Sequence, residues 1–234
     1  MDLQAFEKML QGATVVDLGQ VLQEDIPVWF THPHFIFKQW EYKKFGADSN
    51  NYSLTMGDHN GTHMDSSYHF FRKEEGGHSI DEYAPDVVCG PCRVLHMHGY
   101  KAEQTVEKDD IVAWEAEHGP IEKGDIVLFD FGWSKLFKPL PEGAPFLAGW
   151  PGVGASAAQY LADKEVKAVG VDPCAVDCSG PSGNVTHKIL LPKEILIIEC
   201  LANLDKLPDR AYFVALPLRI KNGSGSPLRP IAIY

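Results

Sequence analysis

The sequence predicts an α/β protein with a mixed, barrel-like β core, and three observations carry that reading. Strand-like stretches, some alternating and some continuously apolar, outnumber helical ones. The helical stretches are short and scattered between strands, as in layered α/β architectures. No repeat, low-complexity tract or composition break divides residues 1–234, so one domain is expected.

In chain order, residues 2–11 read as a short amphipathic helix, followed by strands over 15–18, 35–42 and 52–56. Further strands are predicted over 93–97, 126–131, 168–171, 195–199 and 212–216. Helices fit 108–118 and 154–163, the latter just after Pro151-Gly152. At 234 residues the chain is long enough for one good core and short for two. Its 44% hydrophobic and 23% charged residues are those of an ordinary globular protein. A formal charge of −11 repels phosphates and excludes nucleic acid as an expected partner. No apolar run approaches a membrane span, and the N-terminus lacks the basic and apolar regions of a signal peptide. A cytoplasmic location is therefore expected.

Chemistry concentrates in His59-Asn60-Gly61-Thr62-His63-Met64-Asp65-Ser66-Ser67-Tyr68-His69, with three imidazoles and a carboxylate in eleven residues. Imidazole nitrogen and carboxylate oxygen are preferred ligands of Zn²⁺, Mn²⁺ and similar ions. In a strand His63 and Asp65 share a face at roughly 6–7 Å, close enough for one ion. His59 would lie about 13 Å from His63 along an extended chain. It joins them only if the backbone kinks, and Gly61 permits that. A turn starting at Asp65 or Ser66 brings His69 back beside them. A second half is offered by Glu199, which interrupts the apolar run Ile195-Leu196-Ile197-Ile198, and by His187 twelve residues earlier. A buried carboxylate needs a partner or a metal. Closure of the two halves gives His59, His63 and Asp65 on one ion, His187 and Glu199 on another, with Asp65 bridging.

The motif His59-x-Gly61-Thr62-His63-x-Asp65-x-x-x-His69 resembles the signature of the cyclase family of metal-dependent hydrolases, which includes bacterial kynurenine formamidases and isatin hydrolase. The resemblance continues in Gly124-Asp125, Pro151-Gly152-Val153, Val169-Gly170-Val171-Asp172, Thr186-His187-Lys188, Glu199-Cys200-Leu201-Ala202-Asn203-Leu204 and Gly225-Ser226-Pro227-Leu228-Arg229-Pro230. It implies a swivelling β/β/α domain assembled as homodimers or homotetramers. It also implies one or two Zn or Mn ions on His59, His63, Asp65, His187 and Glu199, with His69 as acid/base. The implied reaction is hydrolysis of an N-formyl arylamine such as N-formylkynurenine, by water activated at the metal. The alternative is a cyclic amide or lactone of the isatin type. One departure stands out: Ser67 occupies a position where the family often has Pro, which bears on pocket shape.

Among the aromatics, Trp29, Tyr68 and Trp150 are the candidates for a flat substrate, while His32 and His34 read as surface or rim residues. A different class of function stays open: a non-catalytic metal-binding protein, or a redox protein built on Cys89-Gly90-Pro91-Cys92. A redox pair should open a helix, yet these residues precede an alternating stretch. Cys89 and Cys92 with His96 and His98 could instead hold a structural zinc.

Overall fold

A computed structural model describes residues 2–180 and 183–234. Its elements in chain order are α1 (Leu3–Gln11), β1 (Val15–Asp17), β2 (Ile36–Glu41), β3 (Asn51–Thr55), β4 (His63–Asp65) and β5 (Cys89–His96). Then come β6 (Thr105–Val106), α2 (Lys108–His118), β7 (Ile126–Asp130), β8 (Gly152–Val153), α3 (Ala155–Asp163) and β9 (Ala168–Val171). The chain closes with α4 (Val185–Leu190), β10 (Leu196–Glu199), β11 (Arg210–Val214), β12 (Gly225–Pro227) and β13 (Ile231–Ile233).

Nine strands form one mixed, curled sheet in the order β1-β13-β11-β5-β7-β9-β10-β4-β12. Its centre, β5-β7-β9-β10, is parallel. Of these, β7, β9 and β10 are apolar runs buried at every position, as parallel strands covered on both faces require. Along β7, Val127 and Phe129 join a core with Ile111 of α2 and Leu161 of α3. Ile126 and Leu128 face the opposite core with Met64, Leu196 and Phe213. Period-two alternation thus feeds two cores from a strand that reads as uniformly hydrophobic.

The short helices follow ordinary end chemistry. The Glu107 N–H donates to Asp110 Oδ2 at 2.7 Å to start α2, and Gly119 takes a positive φ of 88° to end it. The prediction missed β6, β8, β12 and β13, which are two or three residues long and carry no periodic signal. It also missed α4, a six-residue helix formed where His187 is needed.

Parallel strands end together, so His96, Asp130, Val171 and Glu199 close β5, β7, β9 and β10 at one edge. The three-residue β4 lies antiparallel beside β10 and pairs His63 with Glu199. On its other side β12 pairs Gly225 with Asp65. This register brings the two halves of the sequence motif together. No helix among the described residues is long and apolar enough to cross a membrane.

Candidate metal centre

The kink that the sequence needs is present. Gly61 adopts φ 65°, and the His59 and His63 rings lie 5.1 Å apart between centroids. The positive φ is what favours glycine here; a Cβ would also meet Leu22 Cδ2 at 2.6 Å, an exposed side chain that can turn aside. After Asp65 a single 3₁₀ turn, Ser67–His69, carries His69 over the cluster, 4.0 Å from His59 between ring centroids. Ser66 takes the N-cap position, although its hydroxyl donates to the Ser224 carbonyl rather than to the turn. At Ser67 the hydroxyl replaces a rigid ring with a network. It donates to Glu194 Oε1 at 2.9 Å, meets Tyr83 Oη at 3.0 Å and accepts the His78 N–H at 2.9 Å.

All five expected ligand residues are buried and converge. His63 Nε2 lies 3.3 Å from Glu199 Oε2 and 3.4 Å from Asp65 Oδ1. His187 Nε2 lies 3.3 Å from Asp65 Oδ2 and 3.4 Å from Glu199 Oε1. His59 Nδ1 lies 2.7 Å from Asp65 Oδ1. Asp65 belongs to two groups of ligand atoms, one with His59 and His69 and one with His63 and Glu199. His63 therefore groups with Glu199 as well as with Asp65, which the expected two-ion division did not include.

The outer partners decide which nitrogen faces inward. His63 Nδ1 donates to the Gly61 carbonyl at 2.9 Å, and His187 Nδ1 donates to Asp177 Oδ2 at 2.5 Å. The Ser224 hydroxyl spends its proton on Asp58, so it accepts from His59 Nε2 at 2.9 Å. Each neutral imidazole thus aims a bare nitrogen at a carboxylate oxygen. Acceptors facing acceptors need a proton or a metal cation between them. With His187 Nε2 unprotonated, Asp65 Oδ2 is also buried with no hydrogen-bond donor among the described residues. The donor set fits a divalent metal on all these counts.

Protons fill the gap in the ion-free chain. Burial opposes charge on His63, but hydrogen bonds to Asp65, Cys200 and Glu199 outweigh it and hold the imidazole well above its usual range. His187 behaves likewise through Asp177, Asp65 and Glu199. Burial raises Asp65, yet the imidazoles around it, His59 first and with hydrogen bonds from His187 and His59, outweigh it and hold it well below the carboxylate range. His69 differs: burial pulls it down to about 4, with His59 and His187 adding to the effect, so it is neutral at pH 7.

A cavity of about 170 Å³ opens beside the cluster, lined by Trp29, His32, His69, Phe70, Leu147 and Cys174 among others. Of the three aromatic candidates only Trp29 lines it. Trp150 is buried behind Trp29, edge-on at 5.9 Å, and donates its indole N–H to the Asp177 carbonyl at 2.9 Å. Tyr68 lies under Lys73 Nζ at 5.9 Å and does not reach the cavity. Sequence reasoning missed Asp177 and Ser224, which lie outside any ligand motif, whereas Phe70, an aromatic beside the motif, does line the cavity. His32, expected at the rim, lines the cavity part-exposed, its Nδ1 buried and without a partner among the described residues.

The cysteine alternatives lose their footing. The Cys89–Cys92 pair lies within β5 rather than at a helix start, and burial pushes the Cys92 thiol up to about 12, the reverse of activation. Cys92 is also four residues along a strand from His96, about 13 Å, too far to share an ion.

The family described as "Putative cyclase" matches residues 16–178. An isatin hydrolase of Roseibium aggregatum is 30% identical, with 97% of this chain and 94% of that protein covered. A kynurenine formamidase of Erythrobacter litoralis is also 30% identical, over 92% of this chain and 91% of that one. The crystal structure of an isatin hydrolase bound to the product analogue thioisatinate aligns with a TM-score of 0.91 at 28% identity, over 100% of this chain and 99% of that one. On residues, register and relatives together, this chain belongs to the cyclase family.

Proposed function

We propose that this protein is a metal-dependent amide hydrolase acting on a small aromatic substrate, with arylformamidase-type cleavage of an N-formyl arylamine as the leading reaction. The observation that carries this reading is the set of bare nitrogens on His59, His63 and His187 facing the carboxylates of Asp65 and Glu199. These five residues hold one or two Zn or Mn ions. Such an ion, when bound, lowers the pKa of water and polarises an amide carbonyl.

The remaining work falls to the protein. His69, neutral at pH 7, takes a proton from the attacking water and returns it to the departing nitrogen. Trp29 and Phe70 offer flat walls for an aryl ring, and Leu147 adds apolar surface. His32 Nδ1, without a partner among the described residues, is available to a polar group of the substrate. A second reading, opening of a cyclic amide or lactone, is supported by the near-complete overlap with the thioisatinate-bound isatin hydrolase. Purified enzyme, with its metal counted, should turn over N-formylkynurenine; turnover of isatin alone moves it to the second reading. Neither activity in metal-loaded protein overturns the hydrolase proposal.

Assembly as a homodimer or homotetramer within a single-domain chain belongs to the same proposal. The β2–β3 hairpin has no buried residue and exposes Trp40 and Leu54, with Phe45 beside them. An isolated two-stranded sheet is marginal in water, and this apolar surface suits a second copy. Light scattering of the purified protein should give a multiple of the chain mass, and a monomer refutes the assembly.

A further inference from the structure

Outside the centre just described, one further group of potential ligand atoms converges among the described residues. His96 ends β5 and pairs in register with Asp130, which ends β7. His98 follows two residues later. His96 Nδ1 lies 2.8 Å and His98 Nε2 2.7 Å from the same oxygen, Asp130 Oδ2. Asp130 is almost wholly buried, and its other oxygen is oriented by the Gly132 N–H at 3.0 Å.

The tautomer argument applies here as it does at His63. His96 Nε2 donates to the Leu207 carbonyl at 3.0 Å, so once His96 loses its second proton, which the Asp130 carboxylate stabilises, it presents a bare Nδ1 to that carboxylate. That outer hydrogen bond to a backbone carbonyl is the support a metal-bound histidine ordinarily has. His98, half-exposed, closes the group on the solvent side and leaves room for water as a fourth ligand. The ligand atoms of all three residues lie within 4.8 Å of one another.

We propose that His96 Nδ1, His98 Nε2 and Asp130 Oδ2 form a second divalent-metal site, suited to Zn²⁺, separate from the centre built on His59, His63, Asp65, His187 and Glu199. The role is structural. The ion ties the ends of β5 and β7 together, and through His96 it holds Leu207, which follows the turn Leu204–Lys206. None of its three ligands belongs to the reaction machinery, so the site stands whether or not the chain is a hydrolase.

The test compares wild type with His98→Ala, an exposed position where the fold is not at risk, and with His96→Gln. Each protein is loaded with Zn²⁺ at pH 8, freed of excess by gel filtration, and its metal counted by elemental analysis. Wild type should retain about one ion per chain more than either variant, and its Zn²⁺-induced rise in Tm should shrink in both. Turnover, where measured, should be unchanged in His98→Ala. Equal metal counts in wild type and His98→Ala overturn the site. So does a loss of metal that brings a matching loss of turnover, since the ion removed then belongs to the main centre.

Discussion

His187 Nδ1 donates to Asp177 Oδ2 at 2.5 Å, and that bond decides which nitrogen of His187 meets Asp65 and Glu199. Asp177 is held in turn by the Thr186 N–H at 2.8 Å, so the imidazole is aimed before any ligand arrives. Asp177→Asn should lower metal affinity by about 10–100-fold while leaving the fold intact. Chelator competition on the purified variant measures this. An affinity equal to wild type removes Asp177 from the support of the centre.

His69 should separate chemistry from binding. His69→Ala should cut kcat by at least ~10²-fold with metal content nearly unchanged. A parallel loss of metal makes His69 a ligand, a role its grouping with His59 and Asp65 also allows. Because burial pulls it to about 4, its ring should stay neutral from pH 8 down to pH 5 in the ion-free protein, as histidine NMR can follow. Titration near 6.5 shows instead that burial does not suppress its charge, and leaves the neutral base at pH 7 in place.

Gly225 is required by contact. A Cβ there would lie 2.6 Å from His59 Cε1 and 2.7 Å from the Met64 carbonyl oxygen. Gly225→Ala should displace His59 or β12, destabilise the protein by about 1–3 kcal/mol and weaken metal retention. Thermal melts and metal counts report both effects, and a variant matching wild type in each shows that β12 yields freely.

The pH dependence of the metal has a definite sign. In the ion-free chain the raised imidazoles of His63 and His187 add stability that is fully present below 6.5 and is lost as pH rises through their folded values. Asp65 and Glu199, depressed, add stability above their ordinary values of 3.8 and 4.5, lost only as pH falls through the folded ones. From pH 6.5 up to those raised folded values the ion-free chain therefore weakens, and the protons that compete for the nitrogens are progressively given up. The difference in Tm between Zn²⁺-loaded and stripped protein should widen from pH 6 to pH 8. Calorimetry that finds it narrowing contradicts the proton-for-metal exchange.

Several features were legible because they are local. The central strands appear as apolar runs, α2 spans the residues its pattern predicts, and the His59–His69 motif displays its glycine hinge in order. Trp150 and Tyr68 show the limit. Their type suits a substrate pocket, but an indole hydrogen bond to the Asp177 carbonyl buries one and a lysine contact occupies the other.

By itself the sequence determined the class of chemistry, because ligand atoms, a flexible glycine and their spacing are properties of a short segment. The tertiary structure alone decided which of those atoms meet. The antiparallel register of β4 and β10 sets His63 beside Glu199, and partners distant in the chain, Asp177 and Ser224, select the nitrogens that face inward. Such pairings depend on strand register and long-range hydrogen bonds, which no local pattern of residues encodes. The His96–His98–Asp130 group is another instance: two segments 34 residues apart become neighbours only because β5 and β7 lie parallel and end together.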